Sequence, residues 1–97
     1  MREKRIQEME TAFQQQEALM RQVESLLDQL ETSQLIFQEL LAYYQSPQFL
    51  SDMEWADRQE SLPFPCGILS QDGFYNFLLE RQEVGKSLAE IGKEWSR

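Results

Sequence analysis

Residues 3–45 hold no glycine and no proline, and their apolar side chains return on a heptad rhythm. One series runs Ile6, Phe13, Met20, Leu27, Gln34, Leu41, and the other runs Met9, Gln16, Val23, Leu30, Phe37, Tyr44. Gln16 and Gln34 are the two polar interruptions. Positions spaced three and four apart share one side of an α-helix, so the pattern predicts a long amphipathic helix over about residues 3–45. Such a helix extends ~60 Å at 1.5 Å per residue. One flank of the seam carries Glu10, Glu17, Glu24, Glu31 and Gln38; the other carries Arg5, Ala12, Leu19, Leu26, Ser33 and Leu40. The apolar stripe is thus wider than a two-stranded coiled-coil seam and resembles a helix face that other helices cover in a bundle. Thr32 or Ser33 can cap a fresh helix, yet the segment reads as one continuous or gently kinked helix. From Leu35 to Tyr44 apolar residues cover most sides, which predicts deeper burial in that half.

The pattern changes at Ser46-Pro47, a capping residue followed by proline at a first helical position, and predicts a short helix over about residues 47–56. Pro63, Pro65 and Gly67 make residues 57–69 an irregular connector. Ser70 then caps a last helix over about residues 71–95, with Asp72 at the positive end of its dipole. Phe74, Phe77, Leu78, Val84, Leu88, Ile91 and Trp95 follow helical spacing along it, and Gly85, Ala89 and Gly92 mark a neighbouring face.

The predicted architecture is all-α and a single helical domain over residues 1–97. A long N-terminal amphipathic helix and a short middle helix precede a C-terminal helix that folds back as an antiparallel hairpin or three-helix bundle. The last helix is about half as long as the first and covers only part of its seam. That surplus is the sequence-level reason to expect self-association.

Composition narrows the function. The net charge is −8, from 17 acids and 9 bases, which disfavours direct contact with nucleic acid or an anionic membrane surface. No stretch nears the ~20 apolar residues of a membrane span, the opening residues lack a signal peptide's apolar run, and one cysteine permits no internal disulfide. These features point to a cytoplasmic protein. The chain has no histidine, the commonest general base and metal ligand, so no catalytic, cofactor-binding or metal-binding residues are assigned and no cofactor is expected. Cys66 stands without a neighbouring cation or histidine in sequence and reads as structural. The aromatic residues from Tyr43 to Phe77 read as a shared core where the helices meet, because the charges between them are mostly acidic rather than basic.

Between Gln22 and Asp57 there is no base, while Glu24, Asp28, Glu31, Glu39, Asp52, Glu54 and Asp57 are acidic. These seven residues form the candidate interaction surface, read either as a solvated face or as a docking face for a basic partner. Asp52, Glu54 and Asp57 lack the glycine and ligand alternation of a calcium loop.

The chain carries Arg5-Ile6-Gln7-Glu8-Met9-Glu10, Tyr43-Tyr44, Ser46 with Phe49, and Gly67-Ile68-Leu69-Ser70-Gln71-Asp72 leading into Tyr75-Asn76-Phe77-Leu78-Leu79. In these elements it resembles the bacterial family of short helical proteins known as domain of unknown function 4298. The resemblance implies a compact helical protein of Gram-positive-type bacteria and no established activity. The expected function is a protein–protein interaction or self-associating module that is not an enzyme, with a protein or a second copy of itself as partner. The alternative is an acidic inhibitor that mimics nucleic acid and binds a basic protein. A third reading is an enzyme or metal-dependent protein using Asp52, Glu54 and Asp57.

Overall fold

The computed structural model describes residues 1–70 and 72–97. Three α-helices follow one another: α1 (Arg2–Tyr44), α2 (Pro47–Asp57) and α3 (Gly73–Trp95). A 3-10 turn at Gly67–Leu69 precedes α3. The described residues contain no strand. The architecture is therefore all-α, with the long, short and C-terminal helices in the predicted order. The predicted start of the last helix at Gln71 lies outside the described residues.

α1 runs unbroken through Thr32-Ser33. The Thr32 hydroxyl donates to the carbonyl of Asp28 at 2.9 Å, and the Ser33 hydroxyl donates to that of Leu30 at 3.0 Å. Both hydroxyls bond back onto the preceding turn instead of capping a new helix, which is why no boundary forms.

The turn into α2 does follow its capping residue. Ser46 sits in extended backbone, its Oγ accepts from the Phe49 amide at 3.3 Å, and it donates to the Tyr43 carbonyl at 2.6 Å. One hydroxyl thus satisfies the end of α1 and the start of α2, while Pro47 supplies a preset φ and no unmet donor. α2 ends at Asp57, one residue past the predicted limit, and is capped by Arg58, whose amide reaches the Trp55 carbonyl at 3.2 Å.

The connector is less irregular than its prolines suggest. The Leu69 amide bonds the Cys66 carbonyl at 2.9 Å and the Ser70 amide bonds that of Gly67 at 3.1 Å, closing the 3-10 turn. Ser70 Oγ donates to the Gly67 carbonyl at 2.7 Å and accepts from the Gly73 amide at 3.0 Å. The serine therefore ties the turn to the first residue of α3. A Cβ on Gly73 would lie 2.7 Å from the Gly67 carbonyl oxygen and inside contact distance of Ser70 Oγ, so this junction is built for glycine.

The chain divides into two compact units, Met1–Leu40 and Leu41–Arg97. The first is one helical rod. In the second, Phe49 and Phe74 are the buried apolar side chains among the described residues. Tyr44 stands between them, edge-on to both, with ring centroids 5.0 Å from Phe49 and 4.8 Å from Phe74. Tyr43 meets Phe49 edge-on at 5.7 Å and Phe77 stacks on Phe74 at 5.8 Å. The expected aromatic core thus contracts to Tyr43, Tyr44, Phe49 and Phe74, with Phe77 stacked at its edge and 46% exposed. Trp55, Phe64 and Tyr75 are exposed as well.

Candidate functional site

Two features stand out, one in each unit. The first is the apolar face of α1. Among the described residues none of the side chains of α1 is buried. Ile6, Met9, Phe13, Met20, Leu27 and Leu30 follow the seam, and each is between 44% and 61% exposed. Leu19 and Leu26 on the adjoining flank are exposed as well. Exposed apolar patches of more than a few hundred Å² are uncommon on soluble monomers and mark interaction surfaces. Near the N-terminus Arg5, Ile6, Met9, Glu10 and Phe13 border a shallow, open depression of about 330 Å³ on this face. Ile6, Met9, Glu10 and Phe13 are spaced i, i+3, i+4, i+7, the four-residue frame that receives one apolar side chain in a coiled coil.

The apolar run after Ser33 was expected to be the buried half, but Leu35 is 70% and Ile36 61% exposed. Deeper burial in that half is confined to Phe37, Leu41, Tyr43 and Tyr44, which are half-buried.

The second feature lies across the α1–α2 turn. The Tyr43 hydroxyl donates to Asp52 Oδ2 at 2.6 Å, and the Gln48 amide donates to Asp52 Oδ1 at 2.7 Å. These two donors hold the Asp52 carboxyl below the usual carboxylate range, the tyrosine bond contributing more. The same bond, with burial and the aspartate's charge behind it, pushes the Tyr43 phenol upward. Asp52 is thus an acceptor within the turn, a role that its sequence neighbourhood of acids did not reveal.

The other acids of the candidate surface are exposed. Glu24, Asp28, Glu31 and Glu39 fall within about 80° of arc on α1 at 100° per residue. On α2, Asp52 and Asp57 are about 140° apart by the same measure. Among the described residues no group of three or more Asp, Glu, Cys or His comes together in a way that could hold a metal ion. No helix among them is long and apolar enough to cross a membrane.

Beside the 3-10 turn an open groove of about 280 Å³ is lined by Ala56, Glu60, Leu62, Cys66 and Leu69 among others. The Cys66 thiol is free and half-buried there.

A family model described as Domain of unknown function (DUF4298) matches residues 6–91. The chain belongs to the DUF4298 family. The match spans the α1 face from Ile6, the aromatic junction and α3 as far as Ile91, so both features lie inside the DUF4298 domain. No curated protein and no solved structure matches the chain.

Proposed function

We propose that this DUF4298 protein is a non-catalytic, cytoplasmic interaction module that acts by associating with a second copy of itself through the apolar face of α1. One observation carries the reading: a seam of large apolar side chains about half exposed along a helix with no buried residue. Sheltering that surface from water stabilises association by ~25 cal/mol per Å² before ordering costs. The lack of histidine and the engagement of Asp52 by Tyr43 support the non-catalytic part. Light scattering coupled to size exclusion tests it. A mass of twice 11.5 kDa or more that falls on dilution supports self-association. A constant monomer mass overturns it.

A second reading rests on Glu24, Asp28, Glu31 and Glu39, which share one side of α1 and make no ion pair among the described residues. An acidic strip of this kind suits a basic, nucleic-acid-binding protein. Its test is displacement of DNA from such a protein by the chain, with the effect lost in a Glu24→Gln, Asp28→Asn, Glu31→Gln variant.

A further inference from the structure

The self-association proposed above leaves open how two copies of α1 meet, and the face itself specifies an arrangement. We infer that the second copy lies antiparallel, in the register that sets Gln16 against Gln34. This rests on the self-association reading and goes beyond it.

Three observations carry the inference. The first is layer matching. Gln16 and Gln34 are the polar positions in the seam. With residue 16 opposite residue 34, the same antiparallel alignment puts Met9 opposite Leu41, Met20 opposite Leu30 and Val23 opposite Leu27. Each layer then joins one position of each heptad series, as antiparallel seams require. Both glutamines meet their own kind, where side-chain amides donate and accept mutually, and the remaining layers are apolar. The depression framed by Ile6, Met9, Glu10 and Phe13 receives Leu41 of the second copy.

The second is the flanks. In a parallel pair each flank faces the opposite flank of its neighbour, so Leu19 would lie against Glu24 and Leu26 against Glu31. Antiparallel pairing sets like against like. Leu26 meets Leu26 of the second copy and Leu19 meets Ser33, extending the apolar interface with side chains that are 55% and 47% exposed. The acidic flanks also meet, Glu24 near Glu24 and Glu17 near Glu31. Burying the Leu26 pair and the two Leu19 side chains outweighs the cost of the three screened like-charge contacts, so the apolar flank decides the orientation.

The third is the charge distribution along α1. Residues 1–21 carry Arg2, Lys4, Arg5 and Arg21 against an equal number of acids, whereas residues 22–44 carry four acids and no base. Parallel pairing aligns the two acidic halves. Antiparallel pairing sets each acidic half beside the half that holds the bases of this helix.

Pulsed dipolar electron resonance on the full chain tests this, with nitroxides at Thr11→Cys or Ser25→Cys in a Cys66→Ser background. Both positions are exposed and lie outside the seam. In the inferred register residue 25 faces itself, and its spins should be about two helix diameters apart, ~20 Å. Residue 11 faces residue 39, and its spins should be separated by an additional ~42 Å along the axis. Short distances at both positions mean parallel pairing and overturn the inference while leaving self-association intact. A long distance at residue 25 overturns the register. Absence of dipolar coupling with a monomeric mass, the outcome if α3 or another part of the same chain covers the face, overturns the self-association reading as well.

Discussion

The Tyr43 phenol and the Asp52 carboxylate meet at 2.6 Å, nine residues apart in the chain, and so fasten the end of α1 to the body of α2. The bond needs both partners in their ordinary neutral-pH forms. Asp52 is held below the usual carboxylate range, so its contribution to stability is complete above the pH at which the unfolded aspartate titrates. It is lost as pH falls through the lowered folded value. Tyr43 is shifted upward, so its contribution is complete below the ordinary phenol range and is lost as pH rises through the raised one. Thermal melts of wild type and Asp52→Asn should therefore converge as pH drops below about 4, the unfolded aspartate range. Curves that stay parallel across that window contradict the linkage. Tyr43→Phe should lower the melting temperature at neutral pH without changing the helical content at low temperature.

The two glycine environments make opposite predictions. Gly73→Ala forces a Cβ against the Gly67 carbonyl and the Ser70 hydroxyl and should destabilise the C-terminal unit by ~1–3 kcal/mol. Gly85→Ala and Gly92→Ala meet nothing within 4 Å on α3 and should each stabilise by about 0.5–1 kcal/mol. Urea unfolding followed by circular dichroism reads all three.

Phe49 and Phe74 are the buried side chains of the C-terminal unit among the described residues, so truncating either removes much of what packs there. Phe49→Ala or Phe74→Ala should cost ~3–5 kcal/mol, enough to unfold a marginal unit. The aromatic signal of Tyr44 in near-ultraviolet circular dichroism should collapse. Leu50→Ala, on an exposed residue of the same helix, should change stability by less than about 0.5 kcal/mol.

The meeting of acidic flanks gives the antiparallel pair a salt dependence. Raising ionic strength screens Glu17 from Glu31 and Glu24 from its own counterpart, so association should tighten with added salt. Glu24→Gln should strengthen it about twofold, measured by sedimentation equilibrium. Weakening by salt contradicts this arrangement of flanks.

How much of this was legible in the chain depends on the range of the interactions involved. The three helices are written in local terms: the glycine-free heptad run gives α1, and Ser46-Pro47 fixes the start of α2. Thr32-Ser33 is ambiguous in sequence because a hydroxyl can cap forward or bond backward, and here both bond backward within the continuous helix. The Tyr43–Asp52 bond was out of reach, since it depends on the angle of the turn between two helices. The small size of the aromatic core was equally hidden. Periodicity tells which side of α3 is apolar, but not that Phe74 alone among its side chains is buried. Of the candidate acids, the arc shared by Glu24, Asp28, Glu31 and Glu39 follows from helical spacing, whereas the diversion of Asp52 does not.

Coverage of the α1 face by a second copy of the chain is read by sedimentation equilibrium of wild type beside a Met20→Glu, Leu27→Glu variant. Those substitutions put charge on two seam positions that are 44% and 51% exposed and lie within the Met1–Leu40 unit, so the near-ultraviolet signal of the aromatic junction serves as the control for folding. The expected result is a wild-type dimer and a monomeric variant with that signal unchanged. A wild type that remains monomeric at every concentration, or a variant that associates as tightly as wild type, would contradict the account.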